Sequence, residues 1–300
     1  MRYMVTGGAG FIGTNLVIEL LKQGHQVRVL DNFIAGRFRE RIQPGAEYLE
    51  GDVRNMAEVQ KAMAGLDGVF HTAAVPRVTY SVEHPQETND HNVTGTVNVL
   101  VAARDAGVKR LVFSSSQSVY GNLEFGKKLV ESLTPAPLSP YALHKYIGEL
   151  YCRLFSELYS LPTVSLRYFN VYGPYADPNG AYALVIGKFF LQRSQGQPLT
   201  ICGDGEYFRD YTHVTDVVRA NILAMQSLAV GKGEVINIGF GEAHSVNELA
   251  TLIGGPTINV PPRPADPRYG QADNTLARQL LGWEPRISLP EGIEELRSRL

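Results

Sequence analysis

Tyr141 and Lys145 are four positions apart, the spacing that puts two side chains on one face of a helix about one turn from each other. An ammonium beside a phenol favours the phenolate and lowers a pKa of about 10 towards the range of a working proton acceptor. Such a pair also arises as an ordinary helix contact. A third group narrows the reading. Ser114, Ser115 and Ser116 close a buried apolar run, and a hydroxyl at that strand end can bind the oxygen whose proton Tyr141 takes. Capping a helix or turn is the competing use of serine there.

Positioning such a set takes a sheet edge and a loop that tolerates a ligand. Residues 4–16 read MVTGGAGFIGTNL, in which 2–5 form a first strand and a helix leaves from Phe11. Gly7, Gly10 and Gly13 recur every third position, which suits a turn of unusual φ/ψ that approaches a ligand and packs its helix tightly on the strand. The unpaired N–H groups of that helix and its macrodipole then offer a pyrophosphate site. A purely structural glycine turn is the alternative. A second strand, 26–30, ends in Asp31, placed where a carboxylate accepts hydrogen bonds from both hydroxyls of an adenosine ribose. The same charge repels a 2′-phosphate, so NAD is expected over NADP. Arg37, Arg39 and Arg41 follow and are in principle a phosphate site, but with Glu40 among them they read as a solvated face.

The rest of the chain repeats that rhythm. Strands are expected at 47–50, 68–71, 109–114 and 163–167, and a helix at 92–107 with Val93, Val97, Leu100 and Val101 at helical spacing. Strands alternating with helices argue an α/β fold with a doubly wound parallel sheet of Rossmann type and a smaller C-terminal lobe. Asp52 at the third strand's end is placed to reach an adenine amino group or to cap the next helix, and the small residues Thr72, Ala73 and Ala74 let the backbone pass close under a cofactor. Pro140 is placed to open the Tyr141 helix, which carries Leu143, Tyr146, Ile147, Leu150, Tyr151, Leu154, Phe155 and Leu158 as a stripe too wide for one face. One edge is expected to cover the sheet and the other to meet a second subunit. Beyond Gly173-Pro174 the expected elements are helices near 184–193 and 214–227 and strands at 199–202 and 235–238, with 261–264 an extended linker. The division is 1–172, with returning segments near 212–241, for the dinucleotide, and 173–211 with 242–300 for a substrate lobe.

Three hundred residues with 44% hydrophobic content suffice for such a body and lobe, and a net charge of −2 gives no reason to expect nucleic acid or an anionic membrane as partner. There is no run of about 18 apolar residues, and a strand beginning at residue 2 leaves no room for a signal peptide. Two distant cysteines, Cys152 and Cys202, suit a reducing compartment, so the cytoplasm is expected. The seven histidines fall singly, which gives a metal site no support.

Taken together these segments resemble the extended short-chain dehydrogenase/reductases, and among them the nucleotide-sugar 4-epimerases related to UDP-galactose 4-epimerase. TGGAGFIG at 6–13, LDN at 30–32, GDV at 51–53, HTAA at 71–74, SSSQSVYG at 114–121, YALHK at 141–145, RYFNVYGP at 167–174, RDYTHVTD at 209–216 and LGWEP at 281–285 match in order and spacing. The resemblance implies a tightly held NAD lined by Gly7, Gly10, Phe11, Ile12, Gly13, Asp31, Asn32, Asp52, Val53, Thr72, Ala73, Ala74, Asn92, Ser114, Tyr141, Lys145 and Tyr168. It implies a UDP-hexose oxidised at C4 and re-reduced on the opposite face, with Tyr141 moving the 4-OH proton, Ser116 bridging O4, and Lys145 tuning Tyr141 and binding the nicotinamide ribose. Asn170, Arg209, Arg263 and Asp266 are implied as UDP contacts, with Asp266 on the uridine ribose and the arginines on phosphate. Gly270 stands three residues before the Asp273 of the ADN segment, where a bulky aromatic restricts the family's pocket to glucose and galactose; glycine implies room for a 2-acetamido group. The family usually forms a homodimer through a four-helix bundle, here the Tyr141 and Asn92 helices. Pro76-Arg77 departs from the pattern.

Related enzymes set the alternatives. The 4,6-dehydratases carry an Asp-Glu pair just before VYG and the UDP-glucuronate decarboxylases a Glu, whereas this chain has Gln117-Ser118. A deoxysugar 4-reductase would consume cofactor stoichiometrically. A non-enzymatic dinucleotide sensor would have no need of the Ser-Tyr-Lys set.

Overall fold

The computed structural model describes residues 1–34, 39–122, 124–179, 184–262 and 267–299. The chain runs β1 (Arg2–Thr6), α1 (Phe11–Lys22), β2 (Gln26–Asp31), β3 (Glu47–Glu50), α2 (Met56–Met63), β4 (Gly68–His71), α3 (Val78–Glu83), α4 (Pro85–Asn89), α5 (Gly95–Asp105), β5 (Arg110–Ser116), α6 (Pro140–Tyr159), β6 (Thr163–Tyr168) and β7 (Asn170–Tyr172). It continues through α7 (Val185–Ser194), β8 (Leu199–Cys202), β9 (Phe208–Arg209), β10 (Tyr211–His213), α8 (Val214–Gln226), β11 (Lys232–Ile238), β12 (His244–Ser245), α9 (Val246–Ile253), β13 (Thr257–Val260), α10 (Thr275–Leu281) and α11 (Leu289–Arg297).

Seven strands form one parallel sheet in the order β11-β6-β5-β4-β1-β2-β3. Helices cover both faces, so the central strands are buried throughout, as β4 and β6 show. The strand order reverses between β1 and β4, which opens a crevice beyond their carboxyl ends. Every expected sheet strand is present. The helix expected at 92–107 starts earlier, because α4 opens with Pro85 and passes through a π-helical turn, Asp90–Thr94, into α5.

Helix α6 fits its sequence at the start, where the Ser139 hydroxyl accepts from the Ala142 N–H at 3.2 Å and Pro140 occupies the first turn. Its buried face only partly coincides with the apolar stripe, which contributes Phe155 fully and Tyr146 and Tyr151 in part. Ala142, Lys145, Gly148, Glu149, Cys152 and Phe155 face the sheet, while Leu143, Leu154 and Leu158 remain exposed. Gly148 decides how close the helix lies: a Cβ there would stand 2.4 Å from the Phe113 ring on β5.

The second lobe has its own core, in which Tyr172, Phe189, Phe190, Ile201, Leu249 and Ile253 meet Leu289 and Ile293. Two chain passages tie it to the sheet. β11 returns to pair with β6, and Trp283 is fully buried in the core around α8, its indole N–H donating to the Asp216 carbonyl at 2.9 Å. The Asp216 carboxylate accepts from the Arg286 and Ile287 N–H groups at 2.9 and 3.0 Å, which fixes the tail. Trp283→Ala is expected to cost about 3–5 kcal/mol, read as a lower urea midpoint by circular dichroism. A loss under about 1 kcal/mol would show that the tail is not part of the cooperative core.

Candidate active site

A cleft of about 700 Å³ runs along the carboxyl ends of the sheet strands. Gly7, Gly10, Phe11, Ile12, Gly13, Asp31, Asn32, Val53, Thr72, Ala73 and Ala74, all expected at the dinucleotide, line the end beside the glycine turn. Ser114, Ser116, Tyr141, Lys145 and Tyr168 line the middle, and Asn170, Arg209 and Gly270 the far end.

At the dinucleotide end the turn from β1 to α1 has no room for side chains. Gly7 has φ +68°, and a Cβ there would stand 2.8 Å from the Ala73 backbone; one at Gly13 would stand 2.3 Å from the Gly7 carbonyl oxygen. Gly10 precedes α1 without a side-chain cap, so the first N–H groups of that helix face the cleft mouth. Asp31 accepts from the Ala9 and Phe33 N–H groups at 2.9 and 2.7 Å, and burial still raises its carboxyl above the ordinary value. Arg41, expected on a solvated face, is buried and lines the cleft, where it acts on Asp31.

Two expected cofactor residues do not line the cleft. Asp52 is bound by the Arg54 guanidinium at 2.7 and 3.0 Å, by the Arg54 N–H at 2.8 Å and by the Asn32 amide at 2.9 Å. Burial pushes its carboxyl up, and the Arg54 hydrogen bonds outweigh that and hold it well below the usual range. Nor does it cap α2, whose N-cap is Asn55, accepting from the Ala57 N–H at 3.1 Å. Asn92 spends its amide on the Val75 backbone, accepting its N–H at 2.8 Å and donating to its carbonyl at 3.2 Å. It supports the cleft wall from behind.

The three chemical groups meet in the middle. The Ser116 hydroxyl stands close enough to the Tyr141 phenol to lower its pKa, and the Lys145 ammonium lies 5.9 Å from the Tyr141 ring centre. The expected lowering of the phenol pKa is not what the protein groups produce on their own. Burial pushes Tyr141 up to about 12, and the Ser116 hydroxyl pulls only partly back. Lys145 donates instead to the Ser114 carbonyl at 2.7 Å, and burial brings its own pKa down to about 8. Tyr168 shares a hydrogen bond with the Ser114 hydroxyl at 3.0 Å and donates to the Asn221 amide oxygen at 2.9 Å, so it braces this wall.

At the far end Gln117 donates to the Asn170 amide oxygen. A Cβ at Gly270 would stand 2.8 Å from the Gln117 amide oxygen, so that side chain occupies the space beside the glycine. Arg209 spends one donor on the Phe208 carbonyl at 2.9 Å. Arg263 and Asp266, like Arg37, lie outside the described residues. Sequence reading missed Gln117 as a cleft wall, since nothing in spacing shows that its amide meets that of the distant Asn170.

Residues 3–239 match the model of the NAD dependent epimerase/dehydratase family. The chain belongs to that family. UDP-glucose 4-epimerase of Mycolicibacterium smegmatis is 39% identical, over 98% of this chain and 96% of the relative. The solved UDP-glucose 4-epimerase of Thermotoga maritima, with UDP-glucose, superposes with a TM-score of 0.93 at 38% identity, covering 100% of this chain and 99% of that one. The UDP-N-acetylglucosamine 4-epimerase of Methanobrevibacter ruminantium M1, in complex with UDP-N-acetylmuramic acid, superposes at 0.91 and 32%, with 100% and 99% covered. Family membership makes the enzyme NAD-dependent, and the glycine turn, the α1 N-terminus and Asp31 fit that cofactor. Among the described residues no cluster of His, Cys, Asp and Glu could hold a metal, and no helix is long and apolar enough to cross a membrane.

With the Asp31 carboxylate removed, the repulsion of a 2′-phosphate is gone and the Arg41 charge remains on the cleft wall. Asp31→Ser is expected to raise the affinity for NADP relative to NAD by at least about 10-fold, measured by fluorescence titration. An unchanged ratio would show that the carboxylate does not select the cofactor.

Proposed function

We propose that the enzyme is a UDP-hexose 4-epimerase acting on UDP-glucose/UDP-galactose and on the corresponding UDP-N-acetylhexosamines. The observation that carries this is the convergence of Ser116, Tyr141 and Lys145 beside the glycine turn, with an amide and a hydroxyl at 117 and 118 in place of an eliminating carboxylate pair. The UDP-glucose and UDP-N-acetylglucosamine 4-epimerases that resemble the whole chain support it.

NAD, when bound, supplies reversible hydride acceptance at sugar C4. The protein's own share is proton transfer and orientation. Tyr141 takes the 4-OH proton and returns it, Ser116 bonds O4 and the phenol at once, and the Lys145 charge favours the phenolate. Asn170 and Arg209 hold the nucleotide half, with Arg263 and Asp266 as further proposed contacts. Residues 1–172 and 212–241 carry the dinucleotide, and 173–211 with 242–300 the sugar nucleotide. Gly270 admits an acetamido group once Gln117 turns aside. Both cysteines are free, which fits the cytoplasm. The exposed Leu143, Leu154 and Leu158 on α6 suit a homodimer through α5 and α6, and light scattering should report twice the chain mass.

Purified protein incubated with UDP-glucose or UDP-N-acetylglucosamine and no added cofactor should yield both C4 epimers by chromatography. Absence of any epimer overturns the proposal; absence of the acetamido product alone removes the wider specificity. Tyr141→Phe should lower kcat by about 10²- to 10⁴-fold while NAD stays bound. Lys145 is charged below about 8 and neutral above. Turnover is therefore expected to fall as pH rises through that value, and a rate still rising at pH 10 would contradict the role given to the ammonium.

A further inference from the structure

Tyr141 and Lys145 have a third companion at the same interval, Glu149, on the buried face of α6. The three serines that end β5 are joined to these three turns in parallel. Ser116 acts on the Tyr141 phenol, the Ser114 carbonyl accepts from Lys145 at 2.7 Å, and the Ser115 hydroxyl donates to Glu149 at 2.5 Å. Arg167, paired in register with Ser115 on β6, donates to both Glu149 oxygens at 2.8 and 2.7 Å. Its guanidinium lies 4.5 Å over the Tyr120 ring, whose hydroxyl donates to Asn237 on β11 at 2.7 Å. The anchor therefore reaches across three strands.

Both members of the ion pair are 3% exposed. Burying two charges is costly, and well-packed apolar residues usually hold a core as firmly. We propose that Glu149, held by Arg167, is a positioning residue of the epimerisation proposed above: it fixes the end of β5 against α6 so that Ser116, Tyr141 and Lys145 stay in register. Glu149 also supplies the carboxylate that acts on Lys145. The other titratable groups facing that ammonium are His71 on β4 and Tyr141, His144 and Cys152 on α6. Burial keeps His71 neutral and Cys152 protonated. The Glu149 carboxylate favours the charged ammonium, so removing it lets the Lys145 proton leave at lower pH.

The test uses the holoenzyme with UDP-glucose. Ser115→Ala cuts only the strand tie, and should lower kcat by about 10-fold with KM and bound NAD unchanged. Glu149→Gln should lower kcat further and move the alkaline limb of kcat about one pH unit downward. Should that variant fail to fold, Glu149→Leu with Arg167→Leu replaces the pair by apolar volume and should show the same two changes. A folded variant of either kind with wild-type kcat and an unmoved limb overturns the proposal, because a merely structural pair moves neither. NMR titration of methylated Lys145 gives a readout independent of turnover. Its pKa should fall in Glu149→Gln, and an unmoved value overturns the proposal even if the wild-type enzyme epimerises nothing, an outcome that sinks only the function reading.

Discussion

Helix α6 lies against β5 with no spare room: any side chain at Gly148 would run into the Phe113 ring. That approach makes the rest of the site geometrically possible. The helix brings a phenol and an amine to the edge of the sheet, and the strand brings a hydroxyl and a carbonyl. Apolar packing alone would let the helix slide or roll by fractions of a turn, whereas hydrogen bonds to backbone and buried charge have one good register. The site is precise because polar groups are buried beneath it, and burial makes every mismatch costly.

The same burial sets the electrostatics. Tyr141 is pushed up to about 12 and Lys145 down to about 8, so each group is biased towards its neutral form. Both groups are thus held where burial weakens dielectric screening, so an added charge in the cleft has a large effect. Asp31 follows the same rule at the other end of the cleft, where burial raises its carboxyl even with two N–H donors upon it.

The fold was legible because its signals are local. Glycines at every third position after a short strand, a proline opening a helix, and buried strands alternating with helices are consequences of backbone geometry that leave their mark in neighbouring residues. What was misread depended on partners far along the chain. The apolar stripe of α6 marked only part of its inner face: Phe155, Tyr146 and Tyr151 pack inward, but Lys145 and Glu149 go inside too, because the Ser114 carbonyl, Ser115 and Arg167 are there to receive them. Arg41 read as solvated, since its Asp31 neighbour is near in space and ten positions back in sequence. Asp52 and Asn92 sit in motifs that border the cofactor cleft, yet each turns its polar atoms to a nearby loop. Motifs report the neighbourhood of a residue well and the direction of its side chain poorly.

The return of β11 to the sheet has a consequence for how such an enzyme can change. The chain leaves the large sheet after β6, builds much of the second lobe, and comes back with β11 to cover the flank of β6. A polypeptide ending at β7 would leave that flank as a naked row of N–H and C=O groups, open to pairing with another chain. The two halves are therefore woven rather than strung. New sugar preferences have to arise by substitution within the existing weave, since the lobe cannot be exchanged as a cassette.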